Sequence, residues 1–237
     1  MVSKLGMKVS SKPKKIPLGC LCLDRLLQGG LPEGQISTFY GEASSGKTTI
    51  ALQYSITCAR SRFDVLYVDS DLSFSVERML QMAPDFEEIA SYIKIFTPKN
   101  FFEQTILIEN LEMYINPTTG LIVFDTINGL YRAALEISEK NFLLNKELNR
   151  QVAYLSYYAR KYSLPVLLTS QVHGVISGEG EVVKPVGTRI LEFWSQNIVR
   201  LSLTGKPSLR RAYLEKINGR IVSNVFCQYS LTSSGVE

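Results

Sequence analysis

The stretch Gly41-Glu42-Ala43-Ser44-Ser45-Gly46-Lys47-Thr48 has the form G-x-x-x-x-G-K-[ST] and leaves this chain few choices of fold. Its glycines let the backbone curl so that successive N–H groups converge on one anion. The lysine and hydroxyl that follow are placed to reach a polyphosphate and its magnesium ion. Such a loop works between a strand and a helix, because the helix presents its positive N-terminal end to the same anion. Residues 35–40 read as that strand and residues 49–54 open that helix. The candidate phosphate cradle is therefore Gly41, Glu42, Ala43, Ser44, Ser45, Gly46, Lys47, Thr48 and Thr49. Lys47 is the group that reaches the phosphates, and Thr48 is a ligand for Mg²⁺.

The remaining pattern supplies a sheet for this loop. Short apolar runs at 65–69, 92–96, 121–125 and 165–170 read as strands covered on both faces. Helical patterns at 47–60, 74–83, 100–114 and 140–162 separate them, and alternation of this kind predicts a mainly parallel sheet with helices on both faces. A short helix at 21–27, closed by Gly29-Gly30, precedes the loop strand. Beyond residue 196 three consecutive strand patterns, 197–203, 211–216 and 225–229, predict antiparallel strands extending the edge. The 237 residues and 45% hydrophobic content suit one large domain, read as a core over 16–237 behind a basic, flexible tail over 1–15 with Lys4, Lys8, Lys12, Lys14 and Lys15.

No apolar run reaches the ~18 residues of a membrane span, and the polar, basic start is not a secretory signal. The net charge of +4 permits an anionic partner. Cys20, Cys22, Cys58 and Cys227 form no C-x-x-C pair, which speaks against a zinc site. They are expected as free thiols in a reducing cytoplasm, with Cys58 a small core residue.

Strand ends supply the candidate chemistry. Asp125 ends an apolar strand where a carboxylate can hold the shell of a magnesium ion. Asp69-Ser70-Asp71 ends the strand after the loop helix, and Asp71 is the candidate to polarise an attacking water. The other reading is that these acids cap the next helix at Ser73 or Ser75. Gln171 ends the fifth strand, where its amide can sense a γ-phosphate. A glycine-rich loop, about residues 172–188, follows with Gly174, Gly178, Gly180 and Gly187, and is expected to be mobile. His173 at its start reads as exposed and idle, while Lys184 and Arg189 flank the loop as phosphate contacts or solvated charges. Residues 128–150, including Tyr131, Arg132, Lys140 and Phe142, mix basic and aromatic side chains, the combination that single-strand binding needs.

Together these motifs resemble the RecA/RadA recombinase superfamily, and most closely the archaeal RadB paralogues. Residues 19–30, Gly-Cys-Leu-Cys-Leu-Asp-Arg-Leu-Leu-Gln-Gly-Gly, are similar to the lead-in G-x-x-x-L-D-x-L-L-G-G-G. Thr169-Ser170-Gln171-Val172 is similar to the T-N-Q-V element that opens the second DNA-binding loop. Pro185-Val186-Gly187, Leu191 to Ser195 and Leu214-Glu215-Lys216 resemble later family elements, and Leu130-Tyr131-Arg132, Glu147 to Gln151 and Ala159-Arg160-Lys161 favour RadB.

The resemblance implies a RecA-like α/β P-loop core without the helix-hairpin-helix domain of full recombinases. It implies binding of ATP, Mg²⁺ and DNA, single-stranded DNA being favoured, with weak ATP hydrolysis and no efficient strand exchange alone. It further implies a mediator role in homologous recombination and repair, with RadA and a Holliday-junction resolvase as partners. Self-association and a cytoplasmic, nucleoid-associated location are also expected, with no membrane partner.

Departures from the pattern carry expectations of their own. Asp71 stands where the family has Glu, which predicts slow turnover. Ser75 replaces an adenine-packing arginine, and Lys216-Ile217-Asn218 replaces a charged finger. Two other readings stay open: a KaiC-like regulatory ATPase, and a scaffold for which ATP is a structural ligand, neither touching DNA.

Overall fold

The computed structural model describes residues 14–137, 141–177, 180–185 and 187–237. Lys4, Lys8 and Lys12 of the expected tail, Lys140, Gly178 and Val186 lie outside the described residues. The chain opens with β1 (Lys15–Ile16), α1 (Leu21–Leu26) and β2 (Leu31–Pro32), and β3 (Ile36–Gly41) and α2 (Lys47–Arg60) flank the phosphate loop. β4 (Asp64–Asp69), α3 (Val76–Met82), α4 (Phe86–Ile89), β5 (Ile93–Phe96), α5 (Phe101–Glu109) and β6 (Thr119–Asp125) follow. α6 (Gly129–Ile137), α7 (Asn141–Tyr162), β7 (Val166–Ser177), β8 (Gly180–Pro185) and α8 (Thr188–Trp194) lead to β9 (Asn197–Leu203), β10 (Leu209–Ile217), β11 (Arg220–Thr232) and β12 (Gly235–Val236).

The main sheet runs β12-β11-β10-β9-β3-β7-β6-β4-β5, with β8 paired to the end of β7. From β9 to β5 all neighbours are parallel, and β10, β11 and β12 add an antiparallel edge. This is the mainly parallel α/β architecture that the strand–helix alternation predicts, and it agrees with the RecA-like core that the resemblance implies. The antiparallel part begins one strand later than the run of three patterns suggested. β9 lies parallel to β3 because α8 carries the chain back across the sheet before it.

The central parallel strands β3, β4, β6 and β7 each feed two cores. Leu121 and Val123 of β6 enter one with Val65, Tyr67 and the inner faces of α1 to α4. Ile122 and Phe124 enter the other with Leu66, Val68 and the inner faces of α5 to α8. A side-chain period of two sends alternate residues to opposite faces, which is why the runs read as continuously apolar.

Two expectations are corrected. The segment after Gln171 is a β-hairpin, not a loop: β7 continues to Ser177 and pairs antiparallel with β8, from Val172↔Pro185 to Ser177↔Gly180. Val172, Val175, Ile176, Val182 and Val183 are β-branched, and that preference outweighs the glycines. Nor are all cysteines thiols: Cys22 and Cys227 form a disulfide with 5.9 Å between Cα atoms, while buried Cys20 and Cys58 are not disulfide-bonded. No helix among the described residues is long and apolar enough to cross a membrane.

Candidate active site

The carboxyl ends of β3, β4 and β6 and the middle of β7 meet at one edge of the sheet, with Asp125 two residues short of the level of Gln171. Gly41 of β3 pairs in register with Gln171 of β7, and Asp69 of β4 with Asp125 of β6. Crevices at the carboxyl ends of parallel strands are where open α/β sheets hold ligands. The residues picked from the sequence, namely the phosphate loop, Asp71, Asp125 and Gln171, converge here.

The loop turns into α2 through Ser44 at φ 60° and Gly46 at φ 99°. At Gly46 the positive φ favours glycine, and a Cβ would stand 2.8 Å from Leu231 Cδ2, so that side chain would have to turn aside. Lys47 is buried and donates from Nζ to the carbonyls of Gly41, at 2.9 Å, and Glu42, at 2.8 Å. An ammonium has three donors, so one N–H remains for an anion. Burial pushes the Lys47 ammonium below the usual lysine range, opposed by Asp125, Asp71 and Glu42. Ser45 Oγ is buried with no hydrogen-bond partner, a polar atom of the loop left for a ligand to satisfy.

Asp125 is 1% exposed. Its carboxylate accepts from Tyr67 Oη at 3.0 Å and from Thr169 Oγ1, and the Thr48 hydroxyl is a near neighbour. Burial pushes the Asp125 carboxyl above its ordinary range, and these three hydroxyls pull it partly back. The carboxylate thus neighbours the Thr48 hydroxyl in the first turn of α2. This donor set of hydroxyl and shielded carboxylate fits a hard, oxygen-seeking cation such as Mg²⁺, which keeps several of its waters.

The two acids after β4 separate into two roles. Asp69 caps the turn that leads into α3: buried, it accepts from the backbone N–H groups of Ser73 and Phe74, both at 2.9 Å. Asp71 is exposed and turns to the strand ends. Its Oδ2 accepts from Gln171 Nε2 at 2.6 Å, and both its oxygens lie 3.3 Å from Thr126 Oγ1. Gln171 is itself pinned through its backbone, whose N–H donates to Asn128 Oδ1 at 3.1 Å and whose carbonyl accepts from Asn128 Nδ2 at 3.2 Å.

Several other candidates lie elsewhere. Ser75 caps α3, accepting from Arg78 N at 3.2 Å. Lys216 donates to the Glu192 carbonyl at 2.7 Å. Tyr131 is a core residue, 3% exposed, packed on Phe101 and bonded to Asn145, which removes it from the expected basic–aromatic stretch; Phe142 of that stretch is exposed. Arg189 is exposed on α8, and His173 and Lys184 are backbone register partners in the hairpin.

Other contributors were not picked from the sequence. Tyr67, Thr126 and Asn128 are buried polar residues at or beside strand ends, a position that could have flagged them. Arg210 Nε donates to the Ser44 carbonyl at 2.9 Å and Tyr229 Oη to the Ser45 carbonyl at 2.7 Å. These two brace the loop from strands more than 160 residues away, and no local signal announces them.

Comparison with known proteins agrees with this geometry. The chain matches the Rad51 family over residues 11–237. It is 36% identical over 223 residues to the DNA repair and recombination protein RadB of Thermococcus kodakarensis, covering 92% of this chain and 97% of that protein. The RadB of Methanococcoides burtonii is 34% identical over 219 residues, with 92% and 95% covered. A solved structure described as the crystal structure of the RadB recombinase superposes with a TM-score of 0.78 at 36% identity, covering 93% of this chain and 98% of that one. Loop, strand-end acids, sheet order and relatives converge: the chain belongs to the Rad51 family and, within it, to the archaeal RadB proteins.

Proposed function

We propose that this protein binds ATP and DNA, hydrolyses ATP slowly, and assists homologous recombination and repair as a mediator of a RadA-type recombinase. The observation that carries the hydrolytic part is the Asp71 carboxylate, bridged to Gln171 at the strand ends that also hold Lys47 and Asp125. When bound, magnesium supplies charge neutralisation at the phosphate oxygens. Thr48 and its neighbour Asp125 are the residues to hold it. Lys47 and the loop N–H groups of 41–49 neutralise the phosphates and fix their position. Asp71 accepts a proton from the attacking water. Gln171 donates to Asp71 and joins it directly to β7, so a change at the phosphate end is felt by the hairpin of β7 and β8. Aspartate reaches one methylene less far than glutamate, which supports slow turnover.

The names of the relatives support the repair and recombination assignment, and the +4 charge is compatible with a polyanionic partner. RadA, a Holliday-junction resolvase and self-association complete the proposal, as do a cytoplasmic, nucleoid-associated location and a core over 16–237. The test is fluorescence anisotropy of single-stranded DNA with and without Mg²⁺-ATP at two salt concentrations, beside ATP turnover of wild type and Asp71→Ala. The proposal expects salt-sensitive binding that responds to ATP, and slower turnover in the variant. Absence of DNA binding at low salt in either state leaves the regulatory-ATPase or scaffold reading in its place.

A further inference from the structure

The disulfide lies in the same strand that braces the phosphate loop. Cys227 and Tyr229 are two apart on β11, so their side chains share a face, and both pack on the core beneath α1 and α2. Tyr229 Oη donates to the Ser45 carbonyl at 2.7 Å, and Leu231, two residues further along that face, underlies Gly46. On the other side of the bond, Cys22 belongs to α1, whose leading segment is fastened to the loop helix: Gln53 Nε2 of α2 donates to the Leu18 carbonyl at 3.1 Å. The Cys22–Cys227 bond thus ties together the two segments that hold the phosphate loop and its helix from either side. Both cysteines are half-buried rather than sealed in, so small reagents have access to them. In a reducing compartment, outside the disulfide-rich proteins of hyperthermophiles, such a bond is more often redox-sensing than permanent.

We propose that Cys22 and Cys227 form a reversible thiol–disulfide pair that sets affinity for nucleoside triphosphate, the oxidised form binding more tightly. The inference rests on the nucleotide-binding reading above. Oxidation proceeds by exchange with a low-molecular-weight disulfide. One protein thiolate attacks it and releases one small thiol. The second protein thiolate then displaces the other half, so the protein loses two electrons and two protons and the small disulfide becomes two thiols. In the disulfide form, β11 cannot drift from α1, and Tyr229 and Leu231 stay seated on residues 45 and 46. In the dithiol form the β10–β11 ladder, the Tyr229 hydrogen bond and packing hold them without the covalent tie to α1, and the loop orders at a greater entropic cost when the triphosphate binds.

The experiment titrates a slowly hydrolysed fluorescent ATP analogue with Mg²⁺ into three forms: protein oxidised with glutathione disulfide, protein reduced with dithiothreitol, and reduced protein whose accessible thiols are alkylated. Cys22→Ser and Cys227→Ser are titrated beside them, and peptide mass spectrometry reports the bond. The oxidised form should bind about fivefold or more tightly than the reduced form, a coupling of ordinary allosteric size. Both variants and the alkylated protein should match the reduced form and ignore dithiothreitol, and reoxidation should restore the tight form. Equal affinity in oxidised and reduced protein overturns the coupling alone. Failure of glutathione disulfide to form the bond overturns it also. No binding in any form overturns the nucleotide reading and the coupling with it.

Discussion

Replacing Gly129 with alanine examines the role of Asp71 without altering Asp71. A Cβ at that position would stand 2.0 Å from Asp71 Oδ1 and 2.9 Å from Thr126 Oγ1. Carbon–oxygen contacts settle near 3.3 Å, so the carboxylate must retreat by about 1.3 Å. The bond from Gln171 measures 2.6 Å and those from Thr126 are already 3.3 Å. A shift of this size exceeds hydrogen-bond reach at one or both partners. Misplacement by about 1 Å costs a reacting arrangement about 100-fold in rate, or about 2.7 kcal/mol on the barrier. The backbone does not oppose the change. Gly129 opens α6 without a positive φ, and alanine is the better helix former by about 0.8–1 kcal/mol. Single-turnover ATP hydrolysis should slow about 100-fold, with nucleotide affinity and Tm held or Tm slightly raised. In an Asp71→Ala background the second change should add nothing, because both act through one group. A wild-type rate in Gly129→Ala, or the same loss when Asp71 is already absent, would refute the reasoning.

Other consequences follow from the loop and the buried carboxylate. Gly46→Ala forces a left-handed backbone on a residue with a Cβ and makes the Leu231 side chain turn aside. It should lower stability by about 1–2 kcal/mol, read by urea unfolding, and abolish nucleotide-induced stabilisation. Tyr229→Phe leaves the Ser45 carbonyl without its buried donor and should cost about 1–3 kcal/mol, visible as faster amide exchange in residues 44–48. Asp125 holds its proton more firmly folded than unfolded, so the folded state binds more protons between the unfolded value of 3.8 and the raised folded one. Without nucleotide, stability should therefore fall as pH rises through that window. Asp125→Asn should remove this fall in urea unfolding across pH, while also removing the gain that Mg²⁺-ATP confers on wild type.

What was legible in the sequence was local or strand-terminal. The phosphate loop declares itself because eight consecutive residues carry the whole demand. Asp125 follows from its place at the end of an apolar run. Asp69 and Asp71 were visible as a pair, but which one caps depends on how the segment after β4 turns, and Ser73 and Phe74 decide that by offering their N–H groups to Asp69. The hairpin was misread because glycine content was weighted above the β-branched residues between the glycines. Tyr131 looked like a stacking platform because sequence alone does not say which side of α6 faces the core. The Cys22–Cys227 bond spans 205 residues, and Arg210 and Tyr229 reach the loop from comparable distances, so only the closed sheet brings them together.

The division of β6 between two cores reaches beyond packing. Sliding this strand by one residue would exchange its sets of inward side chains, sending Leu121 and Val123 where Ile122 and Phe124 belong. It would also carry Asp125 about 3.3 Å along the sheet, out of reach of Thr48, Tyr67 and Thr169 together. Four hydrocarbon side chains of β6 thus act as the ruler for the carboxylate proposed to hold magnesium. Volume changes at 121–124 should therefore appear as altered magnesium dependence before they appear as unfolding.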